Sequence, residues 1–333
     1  MRPKIGLVCA QDRVTTKAPE FPGATQRVAP HVVMPGHSGR SAAINAGMAH
    51  RQVPIRVGEP VPSVAGAASG RVMVAGDWHG NTDWALNVIM RVPQLLAREH
   101  KRLILHLGDF GIWPGDDGRR YLGSVTAALD RVSAELWFID GNHEDFTELA
   151  RMASSGTLPD GRVAVRPNIY HLPRGHRWQW HGRTWLACGG GVSLDKAGRV
   201  EGRDWWPQEE ITDREETAVI ASGHADVMVC HDCPSRVAHS FPRPPAWWAP
   251  ADLARNSAHR ERLQRITDAV RPAYFIHGHL HRAYQRSCDF GYGPVQVTGL
   301  AADGVLRNFA VLDTELMTWS IRRRGPLDLL ARL

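Results

Sequence analysis

Cysteine is scarce in this chain: five residues in 333, an odd number, in a chain long enough to bury a core without covalent staples. That excludes a disulfide framework and fits a reducing compartment. Cys230 and Cys233 form the single C-x-x-C, around His231 and Asp232. No second pair exists to complete a structural zinc site, and a redox role is not favoured, which leaves His231 as the more informative residue. Long hydrophobic runs are also missing. Nothing approaches eighteen apolar residues, and the short stretch Ile5 to Ala10 is broken by Gly6 and ends at Gln11-Asp12. A spanning helix is excluded, a signal peptide is poorly supported, and a cytoplasmic location is expected with no membrane partner.

Aromatic residues are nearly absent from the first 70 positions, where Phe21 stands alone, whereas all twelve Trp lie between Trp78 and Trp319. The same 70 positions hold eight Gly, eight Pro and eight Lys/Arg against three Asp/Glu, so residues 71–333 carry only +1 of the formal +6. With no sustained period of 2 or 3.6, this segment cannot repay its ordering entropy and is expected to be a disordered N-terminal extension. It reads either as a basic nucleic-acid or partner-binding arm or as a flexible extension; its dispersed charges favour the second. The remaining body lacks the basic footprint of a nucleic-acid enzyme.

From Arg71 the pattern becomes regular. RVMVAG (71–76), LILHLG (103–108) and ELWFIDG (135–141) are short apolar runs ending in glycine and read as buried strands. Helical spacing lies between them over 84–97, where Pro93 should divide the helix, and over 121–132. Such alternation predicts βαβ units and a parallel sheet covered on both faces. NIYHL, HRWQW and RTWLACGG read as antiparallel strands with reversals at Arg174-Gly175 and His181-Gly182. A long loop (189–211), a helix near 213–221, strand DVMVC, a charged helix over 251–270, strand AYFIH and three C-terminal strands complete the chain.

Polar residues collect at the strand ends. Asp77-Trp78-His79, Asp109, Asn142-His143, His231 and Gly278-His279-Leu280-His281 each follow a different predicted strand, where open α/β sheets form their ligand crevice. Any one of them alone is ordinary, but seven candidate ligands at five strand ends are hard to attribute to packing. Asp and His mix hard oxygen and borderline nitrogen donors, a set that suits Mn, Fe or Zn without a thiolate. Carboxylates can bridge two cations, and a cation pair is a standard clamp for in-line attack at phosphorus.

DWH, GD, GNHE, a later His and GHLH, in that order, resemble the calcineurin-like metallophosphoesterase superfamily over about residues 71–312. The resemblance implies a four-layer αββα sandwich of mixed sheets in an α/β domain spanning 71–333. It implies two divalent metal ions, manganese favoured, with Asp77, His79, Asp109 and His281 around one and Asp109, Asn142, His231 and His279 around the other. His143 is then expected to assist the leaving oxygen, with Glu144 orienting its imidazole. The implied reaction is hydrolysis of a phosphodiester by in-line attack of a metal-bound hydroxide.

Around this set, Lys196, Arg199 and Arg203 in the long loop read as phosphate-binding cations or as solvent-facing charges. Trp205-Trp206 read as core packing rather than a base-stacking pair, and His106 and His277 as packing or supporting groups. Trp247-Trp248 fit either a rim or a packing role. The nearly neutral body favours a small phosphodiester such as a cyclic nucleotide or other nucleotide substrate. A nuclease acting on nucleic acid, a phosphomonoesterase and a catalytically silent binding scaffold stand as alternatives.

Overall fold

The computed structural model describes residues 70–97, 102–238 and 248–320. The N-terminal extension through residue 69 and Trp247 lie outside the described residues. The first half runs β1 (Arg71–Ala75), α1 (Thr82–Ile89), α2 (Val92–Leu95), β2 (Arg102–His106), α3 (Gly115–Val132), β3 (Ala134–Phe138), α4 (Phe146–Gly156), β4 (Val163–Arg166) and β5 (Ile169–His171). The second runs β6 (Arg177–Trp180), β7 (Arg183–Cys188), α5 (Asp213–Ala221), β8 (Val227–Cys230), α6 (Ser235–Ala238), α7 (Pro250–Val270), β9 (Tyr274–His277), β10 (Tyr284–Asp289), β11 (Pro294–Gly299), β12 (Phe309–Asp313) and β13 (Thr318–Ser320). Pro93 does divide the first helical stretch: α1 ends at Ile89 and α2 restarts with proline in its first turn. Thr212 opens α5 through a reciprocal capping box with Glu215.

Two mixed sheets result, in the orders β13-β12-β1-β2-β3-β5-β4 and β10-β11-β9-β8-β7-β6. Each has a core of four parallel strands flanked by antiparallel partners. Strand alternation decides the layers. Met73 and Ala75 of β1 face α1, α3 and α4, whereas Val72 and Val74 face inward to meet Trp178, Trp185 and Val229 of the other sheet. On the far side Leu186, Met228 and Phe275 pack against Leu263, Ile266 and Val270 of α7. Three apolar seams therefore separate four layers, αββα. The parallel sheet expected from the βαβ pattern is covered on both faces, but one cover is a second sheet. Among the described residues no helix is long and apolar enough to cross a membrane.

One predicted reversal differs. His181-Gly182, both in the left-handed region, turn the β6–β7 hairpin as expected. Arg174-Gly175 is no hairpin: β5 pairs with β3 in the first sheet and β6 with β7 in the second, so the chain crosses between sheets there. The reason is Arg174 itself. Its buried guanidinium donates to Asp140 (2.9 Å) after β3 and to the carbonyls of Gln208, Glu209 and Glu210, tying the long loop to the sheet. Burial alone would raise the Asp140 pKa, but Arg174 and His171 hold it well below the usual carboxylate range.

Removing one partner of a buried pair leaves the other charge uncompensated, so Arg174→Ala is expected to lower unfolding free energy by about 3–5 kcal/mol in a denaturant titration. Arg265→Ala, which breaks the half-exposed pair with Glu216, should change it by less than ~1 kcal/mol. Equal small losses for the two variants would contradict this account of the crossover.

Candidate metal centre

The C-terminal ends of β1, β2, β3, β8 and β9 converge at the lip of the intersheet seam. Glycines make the convergence possible. A Cβ at Gly141 would lie 2.1 Å from Asp109 Oδ1, one at Gly278 2.3 Å from Asp77 Oδ1, and one at Gly108 2.5 Å from His231 Nδ1. The glycines of the GD, GN and GH motifs are thus pressed against a polar side chain from a different strand. His79, Asp109, His279 and His281 also hold positive φ, four of the nine non-glycine residues that do so among the described residues. Such backbone persists where the surroundings over-determine it, commonly at functional sites.

All seven candidate ligands come together. Ligand atoms of Asp77, His79 and His281 lie within 4.8 Å of one another, as do those of Asp109, His231 and His279. Asp109 Oδ2 links the groups, 3.4 Å from both His79 Nε2 and His231 Nε2. His281 Nε2 is 3.1 Å from Asp77 Oδ2, and Asn142 Oδ1 is 3.1 Å from His231 Nε2. His143 stands at the same place: its N–H donates to Asp109 Oδ1 (2.9 Å), and its ring nitrogen joins those of His79 and Asp109 within the same 4.8 Å.

Electrostatics mark the site as a receptor for positive charge. Burial disfavours charge on His79 and His231, but the Asp109 carboxylate beside both overrides it and lifts each to about 10. Burial would also raise Asp77 and Asp109, yet the surrounding histidines hold the first below and the second well below the usual carboxylate range. Burial takes His279 down to about 4, leaving a neutral imidazole whose Nδ1 lies 3.2 Å from His231 Nε2. Buried carboxylates that stay charged, with imidazoles ready to exchange a proton for a cation, fit a pair of divalent metals.

Supporting residues that the sequence reading missed fix the ring orientations. Asp303 accepts from His79 Nδ1 (2.8 Å) and also from Asn81, leaving Nε2 toward Asp109. The Leu107 carbonyl accepts from His231 Nδ1 (2.7 Å). Buried Asp232, paired with Arg260, lies 4.0 Å from His279 Nε2. Asn142 donates to Ser193 (3.0 Å), which donates to Glu209 (2.6 Å), so the amide turns its oxygen to the site. Asn308 accepts both the Trp78 and Trp84 indole N–H groups and donates to the Asp77 carbonyl. His79 and His231 have the oriented outer partner expected of a metal ligand. Of these, Asp232 carried a sequence signal, since it follows His231 directly; a single Asp303 or Asn308 carried none.

Glu144 requires a correction. It does not orient His143: its Oε1 accepts the Phe110 N–H (2.8 Å), and among the described residues no hydrogen bond joins it to the His143 ring. The GNHE segment bends after β3, leaving His143 half-buried at the crevice and Glu144 fully buried in the interior. Burial, reinforced by Asp109, raises the Glu144 pKa well above the usual carboxylate range. Its role is to hold the peptide after Asp109, together with Tyr121, whose hydroxyl donates to the Phe110 carbonyl. Burial lowers the His143 pKa, and the carboxylates that face it are Asp109 and, from the long loop, Asp195.

The three loop cations part ways. Lys196 sits over the Trp205 ring (3.8 Å), and Arg203 pairs with Asp204 in the open. Arg199 pairs with Asp195 and is the one whose charge reaches His143 and Asp109. Trp205 and Trp206 are buried, and Trp248 is half-buried. His106 packs against Trp78 and Phe110, and His277 bonds Tyr284; neither joins the ligand groups.

A family model for calcineurin-like phosphoesterases matches residues 70–283. No curated protein matches the sequence. Among solved structures, the sulfate thiohydrolase SoxB of Thermus thermophilus, in complex with glycerol, aligns at 17% identity and a TM-score of 0.31, over 68% of this chain. This chain spans 38% of that structure's length.

Glu144 accepts one N–H through Oε1, and an amide oxygen can accept the same bond. Glu144→Gln is therefore expected to keep its melting temperature and turnover within about threefold, whereas Glu144→Leu, which strands the Phe110 N–H, costs about 1–3 kcal/mol of stability. A large loss of turnover in Glu144→Gln at unchanged stability would restore the charged, His143-orienting role.

Proposed function

The chain belongs to the calcineurin-like phosphoesterase family, and from that premise we propose that it is a dinuclear metal-dependent phosphodiesterase acting on a small nucleotide-like diester. The observation that carries the dinuclear reading is Asp109, whose one oxygen lies 3.4 Å from a histidine of each ligand group. Asp77, His79, Asp109 and His281 would hold one cation, and Asp109, Asn142, His231 and His279 the other; manganese is favoured over iron or zinc. When bound, the pair supplies Lewis-acid activation of water and neutralises charge developing on the phosphoryl oxygens.

The chain's own groups do the rest. His143 faces the crevice beside Asp109 and delivers a proton to the departing ester oxygen. Arg199 exchanges its Asp195 partner for a phosphoryl oxygen, holding the substrate by a charge-assisted bond. Lys196 and Arg203, engaged elsewhere, take no part. The near-neutral body supports a small diester over a polynucleotide. The free, buried thiols of Cys188, Cys230 and Cys233 support action in the cytoplasm.

Manganese-loaded protein should hydrolyse bis-p-nitrophenyl phosphate faster than p-nitrophenyl phosphate, and an Asp109→Ala variant should hydrolyse neither. His143→Ala should lower kcat by about 10²–10⁴-fold with metal content retained. Loss of bound metal in that variant would make His143 a ligand, and preference for the monoester would overturn the diesterase reading.

A further inference from the structure

Of the described tryptophans only Trp113 is exposed, at 39%; the rest are buried or half-buried. It lies on the loop between β2 and α3 that also carries Asp109. Its ring rests on Gly80, the residue after His79: a Cβ there would be 3.1 Å from three atoms of the indole, and Gly80 holds a φ of +65 that disfavours any other residue. One face of the indole is thus seated a single residue from a candidate metal ligand while the ring remains open to solvent.

The seat is rigid. A Cβ at Gly118 would meet the Trp113 carbonyl at 1.9 Å, Asp145 donates to the Ile112 carbonyl (2.6 Å), and Phe110 is held by Glu144 and Tyr121. A fixed aromatic face loses little entropy when a ligand ring covers it. Nor is Trp113 isolated. Val200 on the long loop, and Val305 and Leu306 on the loop of Asp303, are also exposed, so four of the six exposed large apolar side chains among the described residues occupy loops that carry or approach site residues. A charged site with an exposed indole seated beside it fits a ligand that joins a phosphoryl group to a flat ring.

We propose that Trp113 is a stacking platform for a planar aromatic ring on the phosphate ester, a nucleobase or an aryl group, and so sets substrate preference. The proposal rests on the phosphoesterase reading above. Base–aromatic stacking of the usual strength corresponds to roughly tenfold in affinity.

The test compares wild type, Trp113→Leu and Trp113→Phe, all manganese-loaded, on 2′,3′-cyclic AMP, bis-p-nitrophenyl phosphate and the aliphatic diester glycerophosphoethanolamine. Trp113→Leu should raise KM about tenfold for a ring-bearing substrate at unchanged kcat, leave the aliphatic diester unaffected, and be largely rescued by Trp113→Phe. Whether the cyclic nucleotide or the aryl ester responds identifies the source of the ring. KM values that all shift together, or not at all, overturn the platform. Calorimetric titration with AMP separates this from the parent reading. If wild type turns over none of the three, the phosphoesterase reading fails, yet AMP binding weakened about tenfold in Trp113→Leu still supports the platform. Equal AMP affinity in the two proteins, or no binding by wild type, overturns it.

Discussion

One buried carboxylate organises the structure. Asp109 holds an oxygen midway between His79 and His231, its other oxygen takes the His143 N–H, and the Gly141 backbone is pressed against it. His79 follows β1, Asn142 and His143 follow β3, and His231 follows β8 of the second sheet. The two sheets must therefore stay in register at this end, and the Trp-rich seam that joins them also serves as the platform of the site. A charged group this deep is tolerable only with several partners of opposite charge. Two protonated imidazoles supply that in the metal-free protein, and two cations are the natural replacement.

Support for the centre comes from every layer. The loop after β11 contributes Asp303, the residue before β12 contributes Asn308, α7 contributes Arg260 behind Asp232, and the long loop contributes Ser193 and Glu209 behind Asn142. Arg174 locks that loop to the sheet, and Arg255 ties Glu209 and Glu210 to α7. Ligand orientation is thus shared among segments more than 200 residues apart, which couples the integrity of the site to the whole sandwich.

Much of this was legible in the sequence because it is local. Apolar runs ending in glycine located β1, β2 and β3, the His181-Gly182 turn located a hairpin, and Pro93 located a helix break. The candidate ligands that the structure brings together were legible because each sits within four positions of a strand end. Three things were not legible, and all depend on direction or distance. The switch of sheets at Arg174 depends on a side chain reaching Asp140. The inward turn of Glu144 depends on how the chain bends after β3. Asp303 and Asn308 find their partners only after the chain has closed, and nothing in their neighbours announces it.

The two proposed cation sites meet at Asp109, and His79 and His231 hold protons there until metal arrives. Titrating metal-free protein with manganese in buffers of different ionisation heat counts both ions and protons. The expected result is two ions per chain, net proton release at pH 7, affinity that strengthens as pH rises toward the His79 and His231 values near 10, and loss of both ions in Asp109→Ala. A single ion per chain, or uptake without proton release, would contradict it.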